Sequence, residues 1–168
     1  MSEVLAVIDM QDKFFGDLSS TTLFMTINNV VKEIRKAKKN SSIIAILEYI
    51  NCGETHPAIL REVEGYDLCY FVRKGKCDGS KHMIEKLRGR CRLFSKITSV
   101  SLCGIFLNQC VYQTLLGLID RKKKWKVSIL KRASTIGWSK RADYSWIRRN
   151  IENSTWLRTE EKKQIMVR

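Results

Sequence analysis

The chain carries a single proline, Pro57, and only two histidines, His56 and His82, in 168 residues. Its six cysteines (Cys52, Cys69, Cys77, Cys91, Cys103 and Cys110) form none of the close pairs that zinc ribbons use, so no metal site is expected. Several sit inside apolar runs such as "DLCYFV" and "VSLCGIF", where cysteine behaves as a small hydrophobe, and reduced thiols are the expectation. No apolar stretch approaches the ~18 to 20 residues that span a bilayer. The N-terminus bears Glu3 and Asp9 instead of a basic leader. A cytoplasmic protein without a membrane partner is therefore expected. A glycine-rich phosphate loop is missing after the first apolar run, which speaks against a nucleotide, and no cofactor is expected. Repeats, low-complexity tracts and linkers are also lacking, so residues 1–168 read as one domain.

Positive charge is what the chain has in excess. The formal net charge is +14, and from Arg121 to Arg168 fifteen basic residues face four acidic ones, so +11 of it lies in the last 48 positions. Lys122, Lys123, Lys124 and Lys126 are the densest group. Such asymmetry points to an anionic partner, nucleic acid or an acidic protein, or else to a solvated basic face. Trp125, Trp138, Trp146 and Trp156 interleave with these cations; Trp125 and Trp156 read as core, and the other two stay open.

Apolar runs of strand length alternate with segments of helical period. Strands are expected over 4–9, 42–50, 68–76, 97–106 and 125–130, with a short last one near 154–157. Helices are expected over 20–40, 57–65, 79–90, 108–123 and 139–153; the first has serine and threonine at its start and lysines at its end. This alternation predicts a three-layer α/β/α sandwich around a mostly parallel sheet of five or six strands, with Rossmann-like topology.

In open parallel sheets functional groups collect at the carboxyl edge. Asp9 ends the first strand, "RKGK" (73–76) ends the third, and "CGIFLNQCVYQT" places Cys110 in the first turn of the helix after the fourth. A cysteine at a helix N-terminus near a lysine has a lowered pKa, and a carboxylate within reach can take its proton and later activate water. Each residue also has a plainer role: Asp9 as a turn or cap, Cys110 as an apolar helix residue, and Lys74 as part of a basic turn.

These segments resemble the isochorismatase-like cysteine hydrolases, which include nicotinamidases. The match rests on "VLAVIDMQDKF", on the lysine after "YFVR" and on "CGIFLNQCVYQT", and runs from Val4 to about Ala133. The resemblance implies Asp9 as general base, Lys74 as the group that holds aspartate and thiolate in place, and Cys110 as nucleophile. It also implies a cis peptide near Ile105–Phe106 that aims an oxyanion hole, a small polar substrate, and assembly as a homo-oligomer. Three departures stand out. "LEYINCGETH" lacks the family's Asp-x-His metal motif, so His56 reads as a turn residue. "GKCDGS" follows the lysine, which makes Lys76 a rival to Lys74 and removes an aromatic wall. Leu107-Asn108-Gln109 replaces the usual Thr-Asp before the cysteine. Two functions follow as expectations: a small-molecule hydrolase using Asp9, Lys74 and Cys110, or a catalytically retired relative whose basic C-terminal surface binds an anionic macromolecule.

Overall fold

The computed structural model describes residues 2–136, 145, 149 and 165–167. The elements are β1 (Ser2–Ile8), α1 (Ser20–Lys39), β2 (Ile43–Tyr49), α2 (Pro57–Val63), β3 (Cys69–Lys74), α3 (Ser80–Arg90), β4 (Ile97–Gly104), α4 (Tyr112–Arg121), β5 (Lys126–Ser134) and β6 (Ile165–Val167). Six strands form one sheet in the order β3-β2-β1-β4-β5-β6, and every neighbouring pair is parallel. Among the described residues no helix is long and apolar enough to cross a membrane.

Strand parity explains the layers. Val4, Ala6 and Ile8 of β1 join the cluster built with Met83 and Leu87 of α3 and Leu115 and Leu118 of α4. Leu5 and Val7, pointing the other way, join Ile27, Val30 and Ile34 of α1 and Ile59 and Val63 of α2. A strand buried on both faces needs a continuous apolar run, and Val4–Ile8 supplies it. Helix α1 begins with Ser19 accepting a hydrogen bond from Thr22 N–H and ends with Lys36, Lys38 and Lys39 in its last turn, the polarity that its dipole favours. Trp125 is buried in the first cluster.

Several element ends differ from the sequence reading. Strand β1 stops at Ile8, because Asp9 adopts a left-handed backbone with φ of 52°. Strand β3 stops at Lys74 and β4 at Gly104. Strand β5 runs on to Ser134, since a bulge sets Leu102 opposite Ile129 but Gly104 opposite Ser134. A 3-10 turn at Asp12–Asp17 and strand β6 were not anticipated. The strand expected over 154–157 lies outside the described residues, as does the helix over 139–153 apart from Ser145 and Arg149, which are helical. Trp138, Trp146 and Trp156 lie outside them too.

The sheet order reverses between β1 and β4, the central pair, so their carboxyl ends diverge into loops on opposite sides. Such a reversal opens a crevice at that edge. Gly104 closes the floor of this crevice: its φ is 117°, and a Cβ there would collide with the Ile8 carbonyl oxygen. Replacement by alanine is therefore expected to destabilise the fold by at least about 1 to 3 kcal/mol from backbone strain alone. A urea unfolding curve for Gly104→Ala that overlays the parent would contradict this packing.

Candidate active site

Three loops meet in the crevice. Asp9 follows β1, and its N–H donates to the Leu47 carbonyl at 2.9 Å, which ties the left-handed residue to β2. Lys74 ends β3, two positions after the inward Val72, and the same parity turns its side chain inward. Its stem crosses the end of β2, and Nζ reaches Asp9 Oδ2 at 2.7 Å. Lys74 is 0% and Asp9 1% exposed. Gly79 makes this crossing possible, because a Cβ at that position would lie 2.8 Å from Lys74 Cδ and 2.5 Å from Leu47 Cδ2.

The ammonium has two further neighbours. It donates to the Lys76 carbonyl at 3.3 Å and lies 4.6 Å from the centre of the Tyr49 ring. Lys76 itself is exposed, and it is the Lys76 backbone that meets the ammonium; of the two rivals, Lys74 is the one beside Asp9. Phe14 packs edge-on against both Tyr49 and Phe106, with ring centres 6.3 and 5.9 Å away. An aromatic wall thus stands beside the pair, although its residues come from other segments than the "GKCDGS" stretch after the lysine.

Cys110 does not occupy the first turn of a regular helix. It lies in a wide π turn, Leu107–Val111, that precedes α4 and is 5% exposed. The thiol sits against the Asp9 carboxylate, close enough for the two groups to titrate against each other. Among the described residues, no group other than this thiol is near enough to donate to buried Asp9 Oδ1. The expected lowering of the cysteine pKa is reversed. Burial, and then the Asp9 charge, push the thiol well up, and the Lys74 charge only partly opposes them. Asp9 is also raised from 3.8, by burial first, against the pull of Lys74. Both shifts favour the protonated, neutral form of each group.

The loop before Cys110 is held on both sides. Ile105 N–H donates to the Ile8 carbonyl at 3.0 Å, and Leu107 N–H to the Thr135 carbonyl at 2.8 Å. The Ile105–Phe106 peptide between them is cis. Among the described residues Phe106 N–H has no backbone acceptor. Thr114, one turn after Cys110, fixes the loop beyond Lys74 by accepting from Gly79 N–H at 3.0 Å and donating to the Cys77 carbonyl at 3.3 Å.

Other polar candidates are structural. Gln11 is 1% exposed; its side chain accepts from Tyr49 N–H and donates to the Tyr49 and Gly53 carbonyls. His56 caps α2 by accepting from Ala58 N–H at 3.2 Å. Glu48 accepts from the Thr55 hydroxyl at 2.8 Å. Among the described residues no three His, Cys, Asp or Glu side chains are grouped to hold a metal ion. Lys123, Lys124 and Lys126 are exposed and Lys122 half-buried, all at the α4–β5 turn. That turn is at the opposite edge of the sheet, and these lysines do not join the site.

The family model described as the isochorismatase domain matches residues 3–127. Among solved structures, a nicotinamidase from Staphylococcus aureus superposes with a TM-score of 0.73 at 17% identity, covering 91% of this chain and 93% of that one. An N-carbamoylsarcosine amidase from Thermoplasma acidophilum gives 0.69 at 17% identity, covering 100% and 96%. A ribonuclease from Caenorhabditis elegans gives 0.65 at 18% identity, covering 97% and 73%. At these identities the likeness is one of fold. No curated protein matches the sequence.

Breaking a buried pair leaves one charge uncompensated, at a cost of about 3 to 5 kcal/mol. Lys74→Met should therefore lower unfolding stability by that amount. Combining it with Asp9→Asn should cost less than the two single losses together. Additive losses in denaturant titrations would mean that the two groups are not coupled.

Proposed function

This chain belongs to the isochorismatase family, and on that premise we propose that it is a cysteine hydrolase of a small polar molecule, cleaving an amide or related C–N or C–O bond with Asp9, Lys74 and Cys110. The observation that supports the proposal is the buried Lys74–Asp9 pair at 2.7 Å, whose second oxygen, Oδ1, has no other donor among the described residues than the neighbouring Cys110 thiol.

In this reading Asp9 works as a general base on a thiol that is protonated at rest. As Cys110 sulfur bonds to the substrate carbonyl carbon, the thiol proton passes to Asp9 and the carbonyl π electrons move onto oxygen. Phe106 N–H, lying between two committed neighbours, is the backbone donor assigned to that oxyanion; Ile105, whose own N–H is taken by Ile8, is not a donor. Collapse expels the leaving amine, which takes the proton from Asp9 and leaves a thioester. Asp9 then removes a proton from water as the water attacks the thioester, and the second collapse releases the acid and restores the thiol. Lys74 fixes Oδ2, so that Oδ1 is the oxygen that exchanges protons. An intact pair with an open oxygen supports an active site over a retired one.

Cys110→Ala should abolish turnover, and Asp9→Asn should reduce kcat by about 10²- to 10⁴-fold. Because Asp9 must be ionised to act and its pKa is raised, the acid limb of kcat/KM should lie above pH 3.8 and fall as pH drops through it. A panel of small amides, followed by ammonia release, measures both. Turnover of an accepted substrate that survives both substitutions would remove the triad.

A further inference from the structure

The cations of the sheet's amino edge divide into two kinds. Below β2, three cations at the end of α1 are paired, though among the described residues neighbouring Lys39 is not: Arg35 pairs with Glu62 at 2.9 Å, Lys36 with Glu33 at 3.9 Å, and Lys38 with Glu62 at 3.9 Å. Below β4 and β5 they are not. Among the described residues Arg88, Arg92, Lys96, Lys122, Lys124 and Lys126 take part in no ion pair. The nearby acids are engaged elsewhere: Glu85 with Lys81, Asp120 with Arg121, and Glu3 with the Ser101 hydroxyl.

Two aromatic rings packed on the core lie beneath these cations. Phe94, in the α3–β4 turn, and Trp125, in the α4–β5 turn, meet edge-on with centres 6.0 Å apart. Lys122 Nζ lies 4.8 Å from the Phe94 ring centre and 5.2 Å from that of Trp125, and Arg88 approaches Phe94 from its own helix at 5.8 Å. Lys96 immediately precedes β4 and Lys126 opens β5, in adjacent parallel strands. Lys122 is half-buried, and the other five cations are exposed. With eight residues in β4, this face lies roughly 25 Å from the Asp9 edge by strand rise. It is remote from the catalytic crevice and cannot steer a small substrate into it.

We propose that this face, formed by the α3–β4 and α4–β5 turns, binds the phosphate backbone of a nucleic-acid strand. Exposed cations distributed over two turns suit a flexible row of phosphates. A lipid surface suits the face less well. The large exposed apolar side chains of the described residues, Phe24, Met25, Ile50 and Phe71, lie on other elements, whereas membrane-surface anchors place apolar groups beside the basic ones. The proposal is independent of the hydrolase reading, since binding is measured without substrate.

The test is fluorescence anisotropy of the full chain with a labelled single strand of about 16 nucleotides. If all six cations contact phosphates, affinity should fall on the order of 10²- to 10³-fold between about 50 and 200 mM salt. Neutralising Lys122, Lys124 and Lys126 to glutamine should reduce the slope of log affinity against log salt by about 2, and so should neutralising Arg88, Arg92 and Lys96. Neutralising Arg35, Lys36 and Lys38 removes the same charge and should leave the slope unchanged. Where a triple variant fails to fold, Lys124→Gln and Lys126→Gln singly should each reduce the slope by about 0.7. The proposal is overturned by an absence of binding at low salt. It is equally overturned if the Arg35-Lys36-Lys38 variant weakens binding as much as the others, since affinity would then follow net charge alone. Equal binding of polyglutamate or phosphatidylserine vesicles would overturn the nucleic-acid assignment.

Discussion

A lysine with no solvent exposure and an aspartate with 1% lie 2.7 Å apart in the middle of this molecule, and much of the surrounding structure is needed to keep them so. Desolvating two ions costs several kcal/mol each, and their attraction offsets this only where the geometry is tightly held. The holding groups are identifiable. Asp9 is fixed by its left-handed backbone and by Leu47; Lys74 is fixed by the Tyr49 ring, by the Lys76 carbonyl and by the space that Gly79 leaves. A fully satisfied pair would be chemically inert. Among the described residues this one leaves Asp9 Oδ1 with no neighbouring donor but a thiol.

The fold positions the third group by close backbone approach. Gly104 lets β4 run against Ile8, the chain then turns through Ile105 and Phe106, and Leu107 is caught by Thr135 beyond the extended β5. Thr114 connects the helix after Cys110 to the loop after Lys74. A displacement of that helix therefore moves the loop beyond Lys74 with it. The basic surface on the amino edge is separated from this machinery by the length of the sheet, so one compact α/β unit carries two chemically distinct ends.

Much of this was legible in the residues. The Val4–Ile8 run showed a strand buried on both faces, and a polar residue straight after such a run marked Asp9. The preference for Lys74 over Lys76 was available from parity: Lys74 shares a face with buried Val72, while Lys76 falls beyond the strand. Other features had no local signal. Tyr49 and Phe14 come together only because β2 and the 3-10 turn end at the same edge. The bulge that carries β5 to Ser134 depends on its pairing with β4. The direction of the Cys110 shift has no local signal either: the sequence pattern suggests a regular helix N-terminus, whereas a wide turn buries the thiol near a carboxylate. Charge counting placed the cations near the C-terminus, but only the fold brings Arg88, Arg92 and Lys96 beside them.

On the proposed mechanism Cys110 rests as a thiol and gives its proton to Asp9. The most direct measurement is the rate of Cys110 alkylation by iodoacetamide as a function of pH, followed by peptide mass spectrometry in the parent and in Asp9→Asn. Labelling should be slow at neutral pH and rise only in the alkaline range above the ordinary thiol value of 9.0. Removing the neighbouring negative charge should move that rise to lower pH in Asp9→Asn. A labelling rate already at its plateau near neutral pH, unchanged by the Asp9 substitution, would contradict it.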